Sequence, residues 1–218
     1  MSPRSASTRT DILRAARGLI ETAPFAEVTL SRVAAAAGVS RQAIYLHFPS
    51  KSQLLLELVA WIDETGRLPG LVAAARQGSD PVQTFIQGVR AAAAYNLDIA
   101  DVGLALRAAR HSDPAAAKAW DDRMAGRLTS IRRFVQPVEA AGRLRPHWTT
   151  QTAADAIFAL ISLTVYEDLV RERGWPPDRY VDQLACIARH TFITPRRRQA
   201  PRAPTRQTAI RQAGRATA

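Results

Sequence analysis

The sequence predicts an all-α protein, with a small N-terminal three-helix domain followed by a larger helical domain. Three observations predict this class. Apolar residues recur at the three- and four-residue spacing of helices along most of the chain. Helix-start signals, Asp80-Pro81 and Asp113-Pro114, stand between these stretches. The alternating pattern typical of strands is missing from the sequence.

The first predicted helix begins at Thr10 and ends before Pro24. Residues 1–9 are polar and aperiodic, and are predicted to form a flexible arm. From Thr10 onward, apolar side chains recur on one face of a helix: Ile12, Ala15, Ala16, Leu19 and Ile20.

Two short helices and the start of a fourth follow. The second helix is predicted from Leu30 to Ala37, and Gly38 then turns the chain. Ser40 is predicted to cap a third helix that ends near Phe48. Ser50, with a glutamine three residues later, has the capping-box pattern that opens a fourth helix.

The rest of the larger domain is also predicted to be helical. Pro137 is expected to kink or shorten the long helix that contains it, and Gly142 is expected to end that helix. The predicted helices are one beginning at 80–81, one over 99–110, one beginning at 113–114, and two over about 150–173 and 178–193.

Composition indicates a soluble, cytoplasmic protein. Of the 218 residues, 47% are apolar and 22% are charged, which is enough apolar material for a core. The single cysteine, Cys186, excludes an internal disulfide and favours a reducing compartment. The most apolar stretch, 156–165, is shorter than the roughly 20 residues needed to span a membrane.

Charge is concentrated at the two ends of the chain. The net charge is +4 over 1–51, zero over 52–194 and +7 over 195–218, within a total of +11. Residues 195–218 contain seven arginines and no acidic residue, and are predicted to be a basic disordered tail. One basic end could therefore be a nucleic-acid footprint and the other a tail.

The segment 29–48, TLSRVAAAAGVSRQAIYLHF, has the pattern of two helices packed across a three-residue turn. Val39, Ile44 and Phe48 anchor the second helix on the first. The opposite face of the second helix stays exposed, and its width suits a B-DNA major groove. Arginine and glutamine on this face can pair with the edges of guanine and adenine. An ordinary helical hairpin is the alternative. The residues on that face are Arg41, Gln42, Ala43, Tyr45, Leu46 and His47.

The run from Thr10 to Leu58 closely resembles the N-terminal domain of TetR-family regulators, most specifically in VTLSRVAAAAGVS and IYLHFPSKSQLL. The resemblance implies a helix-turn-helix DNA-binding domain over 10–50 and an effector-binding and dimerisation domain over 51–194. Leu46 stands where the family often has an aromatic residue. The resemblance implies phosphate contacts near Thr29, Tyr45, His47 and Lys51, and base contacts near Ser31, Arg41, Gln42 and Ala43; the expected DNA-contacting set also includes Ser40 and Leu46.

Two groups of residues in the larger domain are candidates for further sites. The helix predicted over 150–173 is apolar on every side around 156–165, so it must be covered on two sides. It either lies at the centre of the protomer or forms a homodimer interface with the last helix, and we favour the interface. The interface candidates on these two helices are Ile157, Leu160, Ile161, Leu184 and Ala188. Asn96 lies on an apolar face, so its amide needs a hydrogen-bond partner. Either a neighbouring backbone group is that partner, or Asn96 lines an effector cavity. The cavity candidates are Phe85, Asn96, Trp120 and Met124.

Enzymatic function is not expected, because the sequence lacks a glycine-rich phosphate loop, a nucleophile elbow and a metalloprotease motif. No cofactor or metal is expected, since His190 has no second ligand three or four residues after it, and His111 and His147 stand next to helix-ending or loop residues. The expected function is a cytoplasmic repressor that binds a palindromic operator in double-stranded DNA and responds to a small molecule, with no membrane partner. The alternative is a protein that coats nucleic acid through its basic ends without sequence specificity.

Overall fold

Helices form both the N-terminal domain and the larger domain that follows it. The structure is a computed structural model and describes residues 3–67, 69–71, 73 and 80–195. The predicted all-α class is confirmed. Within those ranges the backbone forms no strand, and its single β-type contact is an isolated antiparallel bridge between Leu144 and Ile193. None of the helices described is both long and apolar enough to cross a membrane.

Helix starts follow the side-chain caps that the sequence predicted. The side chains of Ser40, Ser50, Asp80 and Asp113 each accept a hydrogen bond from a backbone N–H in the first turn of the following helix. The helices are α1 (Pro3–Thr22), α2 (Leu30–Ala36), α3 (Arg41–His47), α4 (Lys51–Thr65), α5 (Pro81–Ala109), α6 (Pro114–Ala140), α7 (Thr150–Leu160), α8 (Leu163–Tyr166) and α9 (Pro177–Phe192), with a short 3₁₀ turn at Phe25–Glu27 and a π-helical turn at Glu167–Glu172.

The first helix begins earlier than the sequence pattern suggests. α1 starts at Pro3, so residues 3–9, predicted as part of a flexible arm, are helical. The side chain of Arg9 explains part of the difference. It forms an ion pair with Glu57 of α4 and lies 5.7 Å from the centre of the Phe48 ring, which ties this end of α1 to the rest of the domain.

Two predicted helices, the one beginning at 80–81 and the one over 99–110, are a single helix. α5 runs without a break from Pro81 to Ala109. No proline interrupts it, and its glycines allow close packing. A Cβ on Gly88 would lie 2.5 Å from Cδ1 of Phe134 on α6, and a Cβ on Gly103 would lie 2.9 Å from Cδ1 of Leu163 on α8. The long helix α5 therefore packs against both α6 and α8.

The helix predicted over 150–173 is instead divided at Ile161 and Ser162. α7 ends at Leu160, and the hydroxyl of Ser162 accepts a hydrogen bond from the backbone N–H of Val165 at 3.2 Å, which starts α8. A serine in an apolar run thus acts as a helix cap. At this break the carbonyl of Ile161 accepts hydrogen bonds from side chains of two other helices, Asn96 on α5 and Arg127 on α6.

Pro137 does not shorten α6, which continues to Ala140 before Gly142 ends it with a φ of +63°. A proline lacks only one backbone donor, and this single loss close to the helix end does not prevent the last turn from forming. Of the predicted tail 195–218, all residues after Pro195 lie outside the described part of the chain.

Candidate DNA interface and ligand cavity

The turn between α2 and α3 has the geometry that the sequence predicted. Gly38 has a φ of +67°, in the left-handed region that favours glycine. The N–H of Val39 donates to the carbonyl of Ala34 at 3.0 Å, which closes the turn, and Ala34 is buried where the two helices meet. Ile44 and Phe48 are fully buried beneath α3. One face of this helix is thereby fixed to the domain, and the opposite face is left outside.

The outer face of α3 exposes apolar as well as polar side chains. Leu46 is 81% exposed and Tyr45 is 44% exposed, while Arg41 and Gln42 are exposed beside them. Ala43, His47 and the cap residue Ser40 complete this surface, of which Ala43 and His47 are half-buried. Exposed large apolar groups on a short helix are unfavourable in water, so this face is suited to contact another molecule.

Arg41 has no ion-pair partner in the described part of the N-terminal domain. Four other arginines there, Arg9, Arg14, Arg17 and Arg32, form ion pairs with acidic side chains. Among the arginine and lysine side chains that the structure describes over residues 7–51, Arg41 alone has neither an acidic partner nor an internal one. Its guanidinium is therefore available to an external acceptor.

Lys51, near which a phosphate contact is expected, has contacts within the chain. Its ammonium donates a hydrogen bond to the carbonyl of Phe25 and lies 3.9 Å from the centre of the Phe25 ring. Partial burial lowers the pKa of Lys51 below the usual lysine value. The side chain therefore fixes the start of α4 to the 3₁₀ turn, and only its remaining N–H groups can reach a phosphate.

Thr29, Ser31 and Ser40 surround the start of α2 and α3. The hydroxyl of Thr29 accepts from the N–H of Arg32 at 3.2 Å, and that of Ser40 accepts from the N–H of Ala43 at 3.0 Å. Both hydroxyl protons stay available for donation, because each oxygen acts as an acceptor in its cap. Ser31 is exposed on the first turn of α2.

The four cavity candidates separate into two pairs. Trp120 and Met124 line a cavity of about 270 Å³ between α4, α5, α6 and α8. Phe85 and Asn96, expected there as well, do not line it. Phe85 is fully buried and packs edge-on against two aromatic rings, at 5.9 Å from Phe134 and 6.3 Å from Phe192. Its apolar face belongs to the core because α6 and α9 both close over it.

Asn96 is satisfied inside the core, as one of the two alternatives had it. Its amide donates to the carbonyl of Ile161 and to the hydroxyl of Tyr180, each at 2.9 Å. Arg127 approaches its carbonyl oxygen at 3.4 Å. The amide thus joins α5 to the α7–α8 break and to α9.

Polar residues around the cavity were not identified from the sequence. Arg123 on α6 binds the Asp63 carboxylate of α4 at 2.7 and 3.0 Å, and both residues contact the hydroxyl of Tyr95 on α5. Burial raises the pKa of Tyr95, which keeps the phenol protonated. One signal was present: Arg123 and Arg127 lie three and seven residues after Trp120, on the same helix face.

The residues proposed for a dimer interface are mostly buried within the protomer. Ile157, Ile161, Leu184 and Ala188 are each at most 1% exposed, so this expectation is wrong for all four. Their apolar surface is covered because α5 packs directly against α9 and α6 packs against α7. Leu160 is half-buried, and Ile187 on α9, not among the candidates, is 44% exposed.

Comparisons with known proteins agree with this geometry. The family model of bacterial regulatory proteins, tetR family, matches residues 12–58. The nucleoid occlusion factor SlmA of Alteromonas mediterranea is 39% identical over 62 residues, which are 28% of this chain and 32% of that protein. The chain thus matches about a third of the length of such curated relatives.

Solved structures extend the likeness to the larger domain. NalD, the secondary repressor of the MexAB-OprM multidrug efflux pump in Pseudomonas aeruginosa, is 25% identical with a TM-score of 0.67, over 88% of this chain and 98% of that one. FadR of Bacillus subtilis, in complex with stearoyl-CoA, shares the fold at 18% identity and a TM-score of 0.67, over 84% of this chain and 98% of that one. The N-terminal match and the fold of the helical body agree: residues 12–58 match the tetR family of bacterial regulatory proteins, and the chain shares its fold with these solved structures along most of its length.

Proposed function

We propose that the chain is a repressor that binds a palindromic operator in double-stranded DNA as a homodimer. In this proposal residues 10–50 bind DNA and residues 51–194 form the effector-binding and dimerisation domain. A small apolar or amphipathic molecule in the larger domain releases the protein from its operator. The exposed face of α3 is the observation that carries the proposal.

That face combines the groups needed for direct reading of bases. A free guanidinium at Arg41 can bind guanine O6 and N7, and the amide of Gln42 can bind adenine N6 and N7. Leu46, 81% exposed, offers an apolar contact for a thymine methyl. The helix is rigidly seated through Ile44 and Phe48, so these side chains are presented in a fixed register.

Homodimerisation supplies the second recognition helix that a palindrome needs. The protomer keeps apolar surface on α7 and α9, where Leu160 is half-buried and Ile187 is 44% exposed. We expect Ile187→Arg to weaken self-association, with Gln136→Arg on an exposed position of α6 as the control. Sedimentation at micromolar concentration checks this, and a wild-type monomer would rule the dimer out.

Ligand release is supported by the position of the cavity. α4 begins four residues after the end of α3, and Asp63 near its other end lines the cavity. A ligand that moves α4 therefore changes the spacing of two recognition helices, which must stay about 34–36 Å apart to enter successive major grooves. FadR, which shares the fold, holds a ligand in its solved structure.

The test begins with selection of bound duplexes from a random pool by the full chain. Affinities are then measured by fluorescence anisotropy for a selected site and for a scrambled duplex. Arg41→Ala is expected to cost about 1–3 kcal/mol on the selected site and to relax preference at one base pair. Arg14→Ala is the matched control, because Arg14 is exposed on α1 and pairs with Asp11.

The alternative function, a nucleic-acid coat without sequence specificity, predicts a different outcome. Selection would then enrich no sequence, and Arg41→Ala would weaken binding to selected and scrambled duplexes equally. Either result would refute the assignment of α3 to base reading.

A further inference from the structure

The cavity is small and mostly apolar. Its volume of about 270 Å³ lies just under the range of roughly 300–1,000 Å³ that is typical of sites for drug-sized ligands. Ile99 and Leu163 form one part of its wall, and Trp120 and Met124 form another. These side chains suit the body of a small apolar or aromatic molecule.

One wall residue, Arg127, is a cation without a counter-ion. No carboxylate pairs with it in the part of the chain that the structure describes. Its hydrogen bonds within the described residues come from Nη2, which donates to the carbonyl of Ile161 and, at 3.4 Å, to Oδ1 of Asn96. Nη1 and Nε therefore remain for a further acceptor, since a guanidinium has five N–H donors.

Burial makes this unpaired charge unfavourable. Desolvation lowers the pKa of Arg127 to about 10, so the group stays protonated at neutral pH at a cost in free energy. An anion beside the guanidinium would offset that cost, whereas a second cation would add to it.

A second arginine, one turn away on the same helix, is already paired. Arg123 binds Asp63 through both guanidinium nitrogens, at 2.7 and 3.0 Å, and the hydrogen bond to Asp63 raises the pKa of Arg123 against the effect of burial. The cavity wall thus holds two guanidinium groups and one carboxylate, which leaves one positive charge uncompensated. Asp63 belongs to α4, the helix that leads to α3.

We propose that the cavity binds a small organic carboxylate, which pairs with Arg127 and competes with Asp63 for Arg123. The proposal rests on the ligand-release function above and names the chemical class of the ligand. A carboxylate oxygen can accept a charge-assisted hydrogen bond from Nη1 or Nε of Arg127, the two nitrogens that its internal acceptors leave available. Because Arg123 also holds Asp63, the incoming carboxylate loosens the ion pair that joins α4 to α6. The ligand thereby acts on α3 by displacing the Asp63 carboxylate from Arg123, because α4, which holds Asp63, leads to α3.

Calorimetry on the full chain tests the ligand class with matched pairs. The probes are benzoate, 2-naphthoate and hexanoate, each compared with its neutral amide at pH 7. At least one carboxylate should bind about 10-fold or more tightly than its amide, which is the range expected for a hydrogen-bonded charge. The proposal is overturned if no carboxylate binds more tightly than its amide.

Two variants test the residues. Arg127→Gln should lower carboxylate affinity by about 10- to 100-fold and leave amide affinity unchanged, whereas Arg133→Gln, exposed on the same helix, should change neither. Circular dichroism and thermal unfolding verify that each variant folds. Equal losses for the carboxylate and the amide in Arg127→Gln would contradict charge recognition.

Competition with Asp63 is tested separately. Asp63→Asn should raise carboxylate affinity, since Arg123 loses its internal partner, and the exposed neighbour change Glu64→Gln should not. In the wild type the carboxylate should speed amide hydrogen exchange over 54–62 of α4. Lower affinity in Asp63→Asn would refute the competition. Both readouts are independent of DNA, so carboxylate selectivity without operator release would reject the proposed function and leave the ligand class standing.

Discussion

Replacing Asn96 with alanine removes the polar contact that joins α5, α9 and the α7–α8 break. The amide is fully buried and donates at 2.9 Å to the Ile161 carbonyl and at 2.9 Å to the Tyr180 hydroxyl. Ile161 keeps its bond from Arg127, so this loss is a single hydrogen bond of about 0.5–1.5 kcal/mol. Tyr180 is fully buried, and its unsatisfied hydroxyl adds about 1–3 kcal/mol.

The expected loss for Asn96→Ala is therefore about 1.5–4.5 kcal/mol, or a fall in Tm on the order of 10 °C for a chain of this size. Urea unfolding of the full chain, at fixed protein concentration, measures it. In a double-mutant cycle with Tyr180→Phe the coupling energy should reach about 1 kcal/mol. Gln183→Ala, on an exposed position of α9, is the control. A variant within about 0.5 kcal/mol of the wild type would show that Asn96 does not hold these elements together.

Three further predictions concern helix packing, the contacts of Lys51 and the titration of Tyr95. Gly18→Ala should stabilise α1 by about 0.5–1 kcal/mol, because a Cβ there meets open space, whereas Gly88→Ala should destabilise because its Cβ would lie 2.5 Å from the Phe134 ring; urea unfolding that ranks them in the other order would contradict this packing. Lys51→Ala should cost about 1 kcal/mol of stability; unchanged stability with a salt slope on random duplex lowered by about 0.9 would instead indicate a phosphate contact. Burial raises the pKa of Tyr95, so the stability that this group contributes is present below about pH 10 and lost as the pH rises further. Absorbance titration at 295 nm should show a late tyrosine phase that shrinks in Tyr95→Phe, and an unchanged phase would refute the assignment.

Local signals in the sequence predicted the structure of the N-terminal domain well. The caps at Ser40 and Ser50 and the positive φ of Gly38 are decided by residues within one or two turns, and the structure has all three. The seating of α3 through Ile44 and Phe48 follows from helical spacing for the same reason. These features depend on neighbours in the chain, so a sequence pattern contains them.

Features that depend on distant residues were harder to predict. The apolar run around Ile161 predicts one helix, because the cap by Ser162 and the hydrogen bond from Arg127 depend on packing in three dimensions. The same run favours a dimer interface, since an apolar face has the same sequence pattern whether another protomer or the same chain covers it. The pairing of Arg123 with Asp63 joins residues 60 positions apart, which no spacing rule predicts.

The central claim, that the exposed face of α3 reads DNA sequence, is tested most directly by a ratio of affinities. The full chain is titrated against the duplex enriched by selection and against a scrambled duplex of the same length and composition, at about 0.15 M salt. Sequence-specific binding predicts a ratio of about 10³ or more, which falls markedly in Arg41→Ala and not in Arg14→Ala. A ratio near one for the wild-type chain would contradict the claim.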